Sequence, residues 1–166
     1  MISKMRNDKE DLVERLGVFM EQKEQLAPVA ARILSYIILT GKAGTTFDDL
    51  VRDLCASKST ISTHLNHLAD LKRILYFTKT GDRKKYYTIN EDSIIQSIDA
   101  MTESWILQKE LHLEIREYKE KTNQLKNDYT SKFNLDFHDN YIEFLDEVTK
   151  AVSTLKSRIL EKNTKL

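Results

Sequence analysis

The sequence predicts a mostly α-helical (α+β) fold in which long helices flank one small β-hairpin. Three observations support this prediction. Residues 57–71 have apolar positions at i, i+4 and i+7, the spacing of a helix with one buried stripe. Residues 74–78 and 85–89 are rich in β-branched and aromatic residues, and the loop between them contains Gly81. No Gly or Pro follows Gly81, which is typical of long, unbroken helices.

Two helices are predicted before this region. Residues 8–23 are amphipathic, and the apolar residues that we place on one face are Leu12, Leu16, Phe19 and Met20. Pro28 is suited to the first turn of a second helix. Residues 29–39 are apolar on nearly all sides, as a central core helix requires, and Gly41 and Gly44 end it.

Two short helices joined by a tight turn follow. Thr46 begins a capping box with Asp49, and Ser57 can cap the second short helix. The buried stripes of the two helices are predicted to be Phe47, Leu50 and Leu54, and then Ile61, Leu65 and Leu68. Two helices with such a turn, followed by a two-stranded hairpin, form a winged helix-turn-helix.

The outer face of the second short helix is polar, and its side chains are small. Ser59, Thr63 and Asn66 lie opposite the buried stripe, and such side chains let a helix approach base edges and phosphates in a major groove. Residues 57–89 contain seven basic and two acidic residues, a local net charge of +5 in a chain of net charge zero. A concentrated basic segment on an acidic body is typical of a protein that binds a polyanion.

We therefore expect a double-stranded DNA operator as a partner. Lys58, Lys84 and Lys85 are expected to contact phosphates, and Arg83 to enter the minor groove. The predicted DNA-binding residues are Ser57, Lys58, Ser59, Thr60, Ser62, Thr63, Asn66, His67, Arg83, Lys84 and Lys85. Two alternatives stay open: the polar face is simply solvated, or the winged helix docks onto an acidic protein within a helical assembly.

The C-terminal half predicts dimerisation. A helix over residues 92–127 would be roughly 50 Å long, too long for a small domain to bury. After a polar break near residues 127–134, apolar residues alternate steps of four and three, which predicts a coiled-coil seam. An antiparallel hairpin within the chain could cover one seam, but the apolar surface exceeds that, so we expect a homodimer. The predicted dimer contacts are Leu12, Leu16, Trp105, Leu111, Ile115, Tyr141, Leu145, Val148, Val152, Leu155 and Ile159.

This organisation predicts three regions. Residues 1–25 form a helix that joins the dimer interface, residues 26–90 the winged helix-turn-helix DNA-binding domain, and residues 91–166 the long helical dimerisation region. The start of the sequence has no secretory or transit pattern. The longest apolar stretch of the whole chain, residues 33–39, is too short to cross a membrane. We expect a cytoplasmic protein without a membrane partner.

Motifs of the best-understood enzymes are missing from the sequence, which has no glycine-rich phosphate loop and no nucleophile elbow. We expect no enzyme activity, no catalytic residues, no cofactor and no metal. His64 and His67 permit a metal but lack further ligands nearby. Cys55 is either an oxidation sensor or, more ordinarily, a small buried turn residue. Trp105 fits an interface core better than an aromatic cage for a quaternary ammonium group.

Three segments also carry a resemblance to a known family. They are APVAARILSYIIL (residues 27–39), SKSTIST (residues 57–63) and GDRKKYYTI (residues 81–89). With these three segments in this order, the chain resembles the MarR-type winged-helix transcription regulators, and specifically the GbsR-like branch. The resemblance implies a homodimeric, operator-binding repressor. Some GbsR-like proteins respond to choline-type osmolyte precursors, so a small-molecule effector of unknown identity is a further candidate partner.

Two residues depart from the family pattern. Lys72 and Cys55 stand where relatives usually have glycine. The resemblance therefore implies a positive φ at both positions, which costs a residue with a Cβ about 1 kcal/mol.

Overall fold

A computed structural model describes residues 2–163, which form two compact units, one ending at Ser93 and the other beginning at Ile94. The elements of the first unit are α1 (Ile2–Glu24), α2 (Pro28–Thr40), β1 (Thr45–Thr46), α3 (Phe47–Asp53), α4 (Lys58–Asp70), β2 (Ile74–Thr78) and β3 (Lys85–Ile89), with a 3₁₀ turn (Gly41–Ala43) after α2. Helix α5 (Glu91–Leu125) begins just before the boundary. A 3₁₀ turn (Tyr129–Ser131) and α6 (Asp136–Asn163) complete the second unit.

Helix α2 lies at the centre of the first unit. Pro28 is its first residue, where the missing N–H has no cost. The core consists of Leu26 just before α2, Ala30, Ala31, Ile33, Leu34 and Ile37 of α2, Leu50 of α3, Ile61, Leu65 and Leu68 of α4, and Ile74 of β2. The predicted core helix and the predicted stripe of α4 are therefore confirmed.

Helix α1 packs on α2 through a different face from the predicted one. Val13 and Gly17 are buried, and Met20 packs against the core. Leu12 and Phe19 are 44% and 52% exposed. The prediction that grouped Leu12 and Phe19 with Met20 was wrong, because a glycine that allows close helix approach, not the larger apolar side chains, sets the contact face.

Both short helices begin at their predicted caps. Thr46 Oγ1 accepts the N–H of Asp49 at 3.2 Å, and Asp49 Oδ2 accepts the N–H of Thr46 at 3.2 Å, which completes the capping box. Ser57 Oγ accepts the N–H of Thr60 at 3.1 Å. Helices α3 and α4, joined by the turn of residues 54–57, form the predicted helix-turn-helix.

The sheet contains three antiparallel strands in the order β1-β3-β2, one more than the predicted two-stranded wing. Strands β2 and β3 pair as predicted, with Tyr76 opposite Tyr87 and Phe77 opposite Tyr86. Strand β1 pairs with the other edge of β3. The sequence did not predict β1, because two residues are too few to show an alternating pattern. Together with the helix-turn-helix, this sheet completes a winged-helix fold.

The two positions that depart from the family pattern both have left-handed backbone conformations, with φ of 50° at Cys55 and 54° at Lys72. This confirms the expectation drawn from the resemblance. The side chain of Cys55 is exposed. The ordinary interpretation of Cys55 as a buried turn residue was wrong, because the turn between α3 and α4 runs along the surface of the first unit.

Helices α5 and α6, of 35 and 28 residues, lie antiparallel in the second unit. Three ion pairs cross between them in antiparallel order: Asp99 with Lys156, Lys109 with Asp146, and Arg116 with Asp139. The antiparallel hairpin that the sequence left as one way to cover the seam is thus present within the chain. None of the helices between residues 2 and 163 is long and apolar enough to span a membrane.

Candidate nucleic-acid interface

The outer face of α4 is polar and accessible. Its buried stripe holds the helix on the core, and the opposite side presents Lys58, Ser59, Ser62, Thr63, Asn66 and His67, all of them exposed. The side chains of Ser62, Thr63 and Asn66 form no hydrogen bond with any other residue that the structure describes. Their donors and acceptors are therefore available to a ligand.

Hydroxyl groups in the first turn of α4 bind one another. The hydroxyls of Ser59 and Thr60 lie 2.9 and 2.8 Å from Ser57 Oγ, which also caps the helix. Thr60 is half-buried. Ser57 and Thr60, which the sequence placed among the DNA-binding residues, therefore fix the start of α4 in the free chain.

Asp82 organises the tip of the wing, the hairpin formed by β2 and β3. Its carboxylate accepts the hydroxyl of Tyr86 at 2.7 Å and the N–H of Lys84 at 2.9 Å, and these hydrogen bonds lower the pKa of Asp82. The neighbouring Arg83 is exposed and forms no ion pair with a residue in the described part of the chain. Its guanidinium is thus a cation at the tip that no residue between positions 2 and 163 neutralises.

Some cations of the basic segment are partly neutralised within the chain. Arg73 is half-buried and pairs with Glu24 at 2.7 Å. Lys84 Nζ lies 3.7 Å from Asp48 Oδ2, with both side chains exposed. The local charge of +5 therefore overstates the positive charge that the surface presents, because Arg73 stabilises the packing of α1 instead.

Aromatic rings support the remaining wing lysines. Lys79 Nζ lies 3.8 Å from the centre of the Tyr86 ring, and Lys85 Nζ lies 4.0 Å from that of Tyr76. Such cation–π contacts orient an ammonium group while leaving it charged and accessible. The sequence contains these lysines and tyrosines but does not show which of them are in contact.

The residues predicted to form dimer contacts differ in exposure. Leu12, Leu111 and Leu155 are 44%, 55% and 51% exposed. The half-buried ones are Leu16, Trp105, Ile115, Tyr141, Val148, Val152 and Ile159. Leu145 is only 1% exposed in the single chain, because the fold of the chain already covers it, and its contact with a second subunit stays a prediction.

A groove of about 780 Å³ lies in the first unit between α1, α2 and the turn after α3. Tyr36 donates its hydroxyl to Asp53 at 2.6 Å, and burial together with this bond raises the pKa of Tyr36. Lys9 Nζ lies 3.6 Å from the centre of the Tyr36 ring, and burial lowers its pKa. Leu54 and Cys55 also line the groove. The sequence did not predict it, because its walls come from three separate segments, but its volume is that of a small-molecule site.

The structure gives no support for a metal site at His64 and His67 of α4. Within the described residues, no group of three or more His, Cys, Asp and Glu side chains is placed to hold a metal ion.

No model of a known protein family matches this chain, and no curated protein matches it in sequence. Similar folds occur among solved structures. A protein described as a transcriptional regulator is 18% identical, with a TM-score of 0.49 over 93% of this chain and 99% of that one. A mutant of S. aureus MepR bound to an oligodeoxyribonucleotide is 20% identical, with a TM-score of 0.41 over 76% of this chain and 94% of that one. At these identities the likeness concerns the fold alone.

Proposed function

We propose that this chain is a sequence-specific, DNA-binding transcriptional regulator of the MarR type, a repressor that acts as a homodimer. One observation carries the proposal: Ser62, Thr63 and Asn66 form an exposed row of polar side chains on α4, without partners among the described residues. Lys58 at the start of the same helix and Arg83 at the wing tip add two exposed cations to this surface.

Helix α4 has the dimensions that major-groove binding requires. Its 13 residues make it about 20 Å long, and a major groove about 12 Å wide admits one α-helix. In this proposal the amide of Asn66 reads a base edge, because an amide both donates and accepts hydrogen bonds. The hydroxyls of Ser62 and Thr63 contact base edges or phosphates, and Lys58 neutralises a phosphate.

The wing supplies the second contact. Arg83 enters the minor groove, where narrow tracts concentrate negative potential, and Lys84 and Lys85 bind phosphates. Asp82 stays ionised beside these cations, because the hydrogen bonds from the Tyr86 hydroxyl and the Lys84 N–H lower its pKa, and the same bonds hold the loop that presents Arg83.

A second copy of the chain completes the proposal. Leu107, Leu111 and Leu155 expose between 51% and 65% of their surface on the long helices, which favours burial in a dimer. In a homodimer, two α4 helices would read half-sites about one turn of DNA apart. We assign residues 1–25 and 91–166 to dimer contacts and residues 26–90 to DNA. The assignment to the GbsR-like branch rests only on the resemblance of residues 27–39, 57–63 and 81–89.

We also propose the groove of the first unit as the site of a small-molecule effector. Leu54 and Cys55 line it and lead directly to Ser57, the cap of α4. A ligand that prefers one arrangement of this turn would shift the population of DNA-competent protein.

Fluorescence anisotropy with DNA from upstream of the chain's own gene, in excess random competitor, tests the proposal. Wild type should prefer one sequence. Lys85→Ala should reduce the slope of log affinity against log salt by about 0.9, the effect of one lost phosphate contact. Asn66→Ala should instead relax sequence preference, by about 1–3 kcal/mol at one base pair. Lys150→Ala, an exposed cation on α6, is the matched control and should leave both unchanged.

Failure of the wild type to prefer any such DNA over random competitor would overturn the DNA-binding proposal. Binding to an acidic protein through the same α4 face would then support the alternative, a protein-interaction winged helix.

A further inference from the structure

A buried histidine connects the two long helices of the second unit. His138, in the first turn of α6, is 5% exposed. Its Nδ1 lies 3.0 Å from Nδ1 of His112, and its Nε2 lies 2.9 Å from Nζ of Lys119, both on α5. The rings of Phe137 and Tyr141 pack against the His112 ring, with centroids 5.8 and 4.5 Å away. Both nitrogens of the buried ring are therefore occupied by polar groups of the opposite helix.

These contacts are compatible with one protonation state. A lysine ammonium can only donate hydrogen bonds, so Nε2 of His138 must accept from Lys119 and carry no proton. The proton of the neutral His138 ring is then on Nδ1, which donates to Nδ1 of His112. That nitrogen must be unprotonated as well. The chain from Lys119 through His138 to His112 exists only while both imidazoles are neutral.

The surroundings of His138 oppose a further positive charge. Lys119 and Arg116 face it from α5, and the first turn of α6 adds the positive end of a helix dipole. The acidic groups of that turn are Asp136 and Asp139, and Asp139 is already paired with Arg116. Burial, and then the charge of Lys119, lower the pKa of His138.

We propose that His138, His112 and Lys119 form a pH-sensitive clasp between α5 and α6, closed at neutral pH and opened by acid. Protonation of His138 removes the acceptor of the Lys119 ammonium and places a second cation beside it. The clasp belongs to the helix pair itself and is independent of the proposed function. Acid-dependent release of DNA would be a consequence only where the pair also carries the dimer contacts.

The sign of the pH effect follows from the lowered pKa. An unfolded histidine takes up its proton near pH 6.5, before the folded one does. The stabilising contribution of the clasp is therefore fully present above about pH 6.5 and is lost as the pH falls below it. In that window the unfolding equilibrium shifts toward the unfolded state about tenfold per pH unit for one such group.

Nuclear magnetic resonance of the full chain with ¹⁵N-labelled histidines tests the clasp without DNA. We expect His138 to carry its proton on Nδ1 and to titrate below the ordinary histidine value. Lys119→Met keeps the apolar stem and removes the charge, so it should raise the pKa of His138. A proton on Nε2 of His138, or titration at or above about 6.5 in the wild type, would overturn the proposal.

Trp105 provides a second measurement, because it is the single tryptophan and lines a pocket of the second unit together with Asp146 and Thr149 of α6. Its emission should shift to longer wavelength as the pH falls and the helix pair loosens. His138→Gln should abolish this shift, while the control His64→Gln, on α4, should retain it. A wild-type emission that is constant while His138 titrates would show that no clasp opens. If His138→Gln does not fold, the titration of His138 in the wild type and in Lys119→Met still tests whether the clasp exists.

Discussion

Replacing Gly44 with alanine should destabilise this protein considerably more than the same replacement at Gly41. Both glycines have a positive φ, 71° and 68°, combined with ψ of 157° and −151°. Residues with a Cβ rarely adopt this region, and the backbone strain costs about 1–3 kcal/mol at each position. Gly41→Ala is therefore a matched control for the conformational part of the effect.

The space around the added methyl group distinguishes the two sites. At Gly41 a Cβ would meet nothing within 4 Å, whereas at Gly44 it would lie 2.9 Å from Tyr86 Cβ and 3.0 Å from Phe77 Cε1. Tyr86 Cβ is fixed by the pairing of β3, and the Phe77 ring stacks on the Tyr86 ring at 5.6 Å. Overpacking of this kind adds about 1–3 kcal/mol. We expect a loss of about 1–3 kcal/mol for Gly41→Ala and about 2–6 kcal/mol for Gly44→Ala.

Urea and thermal unfolding, followed by circular dichroism, measure this difference. At about 2–4 °C per kcal/mol for a chain of this size, Gly44→Ala should melt several degrees below Gly41→Ala. Equal losses for the two variants, or a larger loss at Gly41, would refute the argument that the approach of Gly44 to the wing aromatics limits this position.

Two further predictions concern the groove of the first unit. Hydrogen bonds from Arg52 and Tyr36 lower the pKa of Asp53, so the stability that Asp53 contributes is present above about pH 4 and lost as the pH falls further. Asp53→Asn should flatten the acid limb of urea-unfolding stability against pH, and an unchanged limb would contradict this. An effector bound in the groove should slow the reaction of Cys55 with a thiol reagent. An effector that alters DNA affinity at an unchanged labelling rate would argue against the groove.

The helix-turn-helix was predictable because its signals are local. The caps Thr46 and Ser57 act within three residues of themselves, and the stripe of α4 is a repeat of three and four positions. The pairing of β2 with β3 follows from two short strands separated by a turn with Gly81. Each of these features depends on residues close together in the chain.

Contacts between distant segments were less predictable. The prediction of which face of α1 packs on α2 was wrong, because Gly17 permits a close approach of the two helices that the pattern of large apolar residues does not reveal. The pairing of Arg73 with Glu24 joins residues 49 positions apart, and it removes a cation that the charge count had placed on the surface. Charge composition alone does not distinguish a surface cation from one that holds two helices together.

The sequence by itself determined the order of the helices, the buried stripe of α4, the strands β2 and β3 and the polar residues that α4 presents. These depend on backbone preference and periodicity, which act over a few residues. The tertiary structure alone decided that Leu145 is covered within the chain, that Asp82 is engaged at the wing tip, and that His112 and His138 meet. Such contacts depend on the relative rotation and distance of packed elements, which no local pattern specifies.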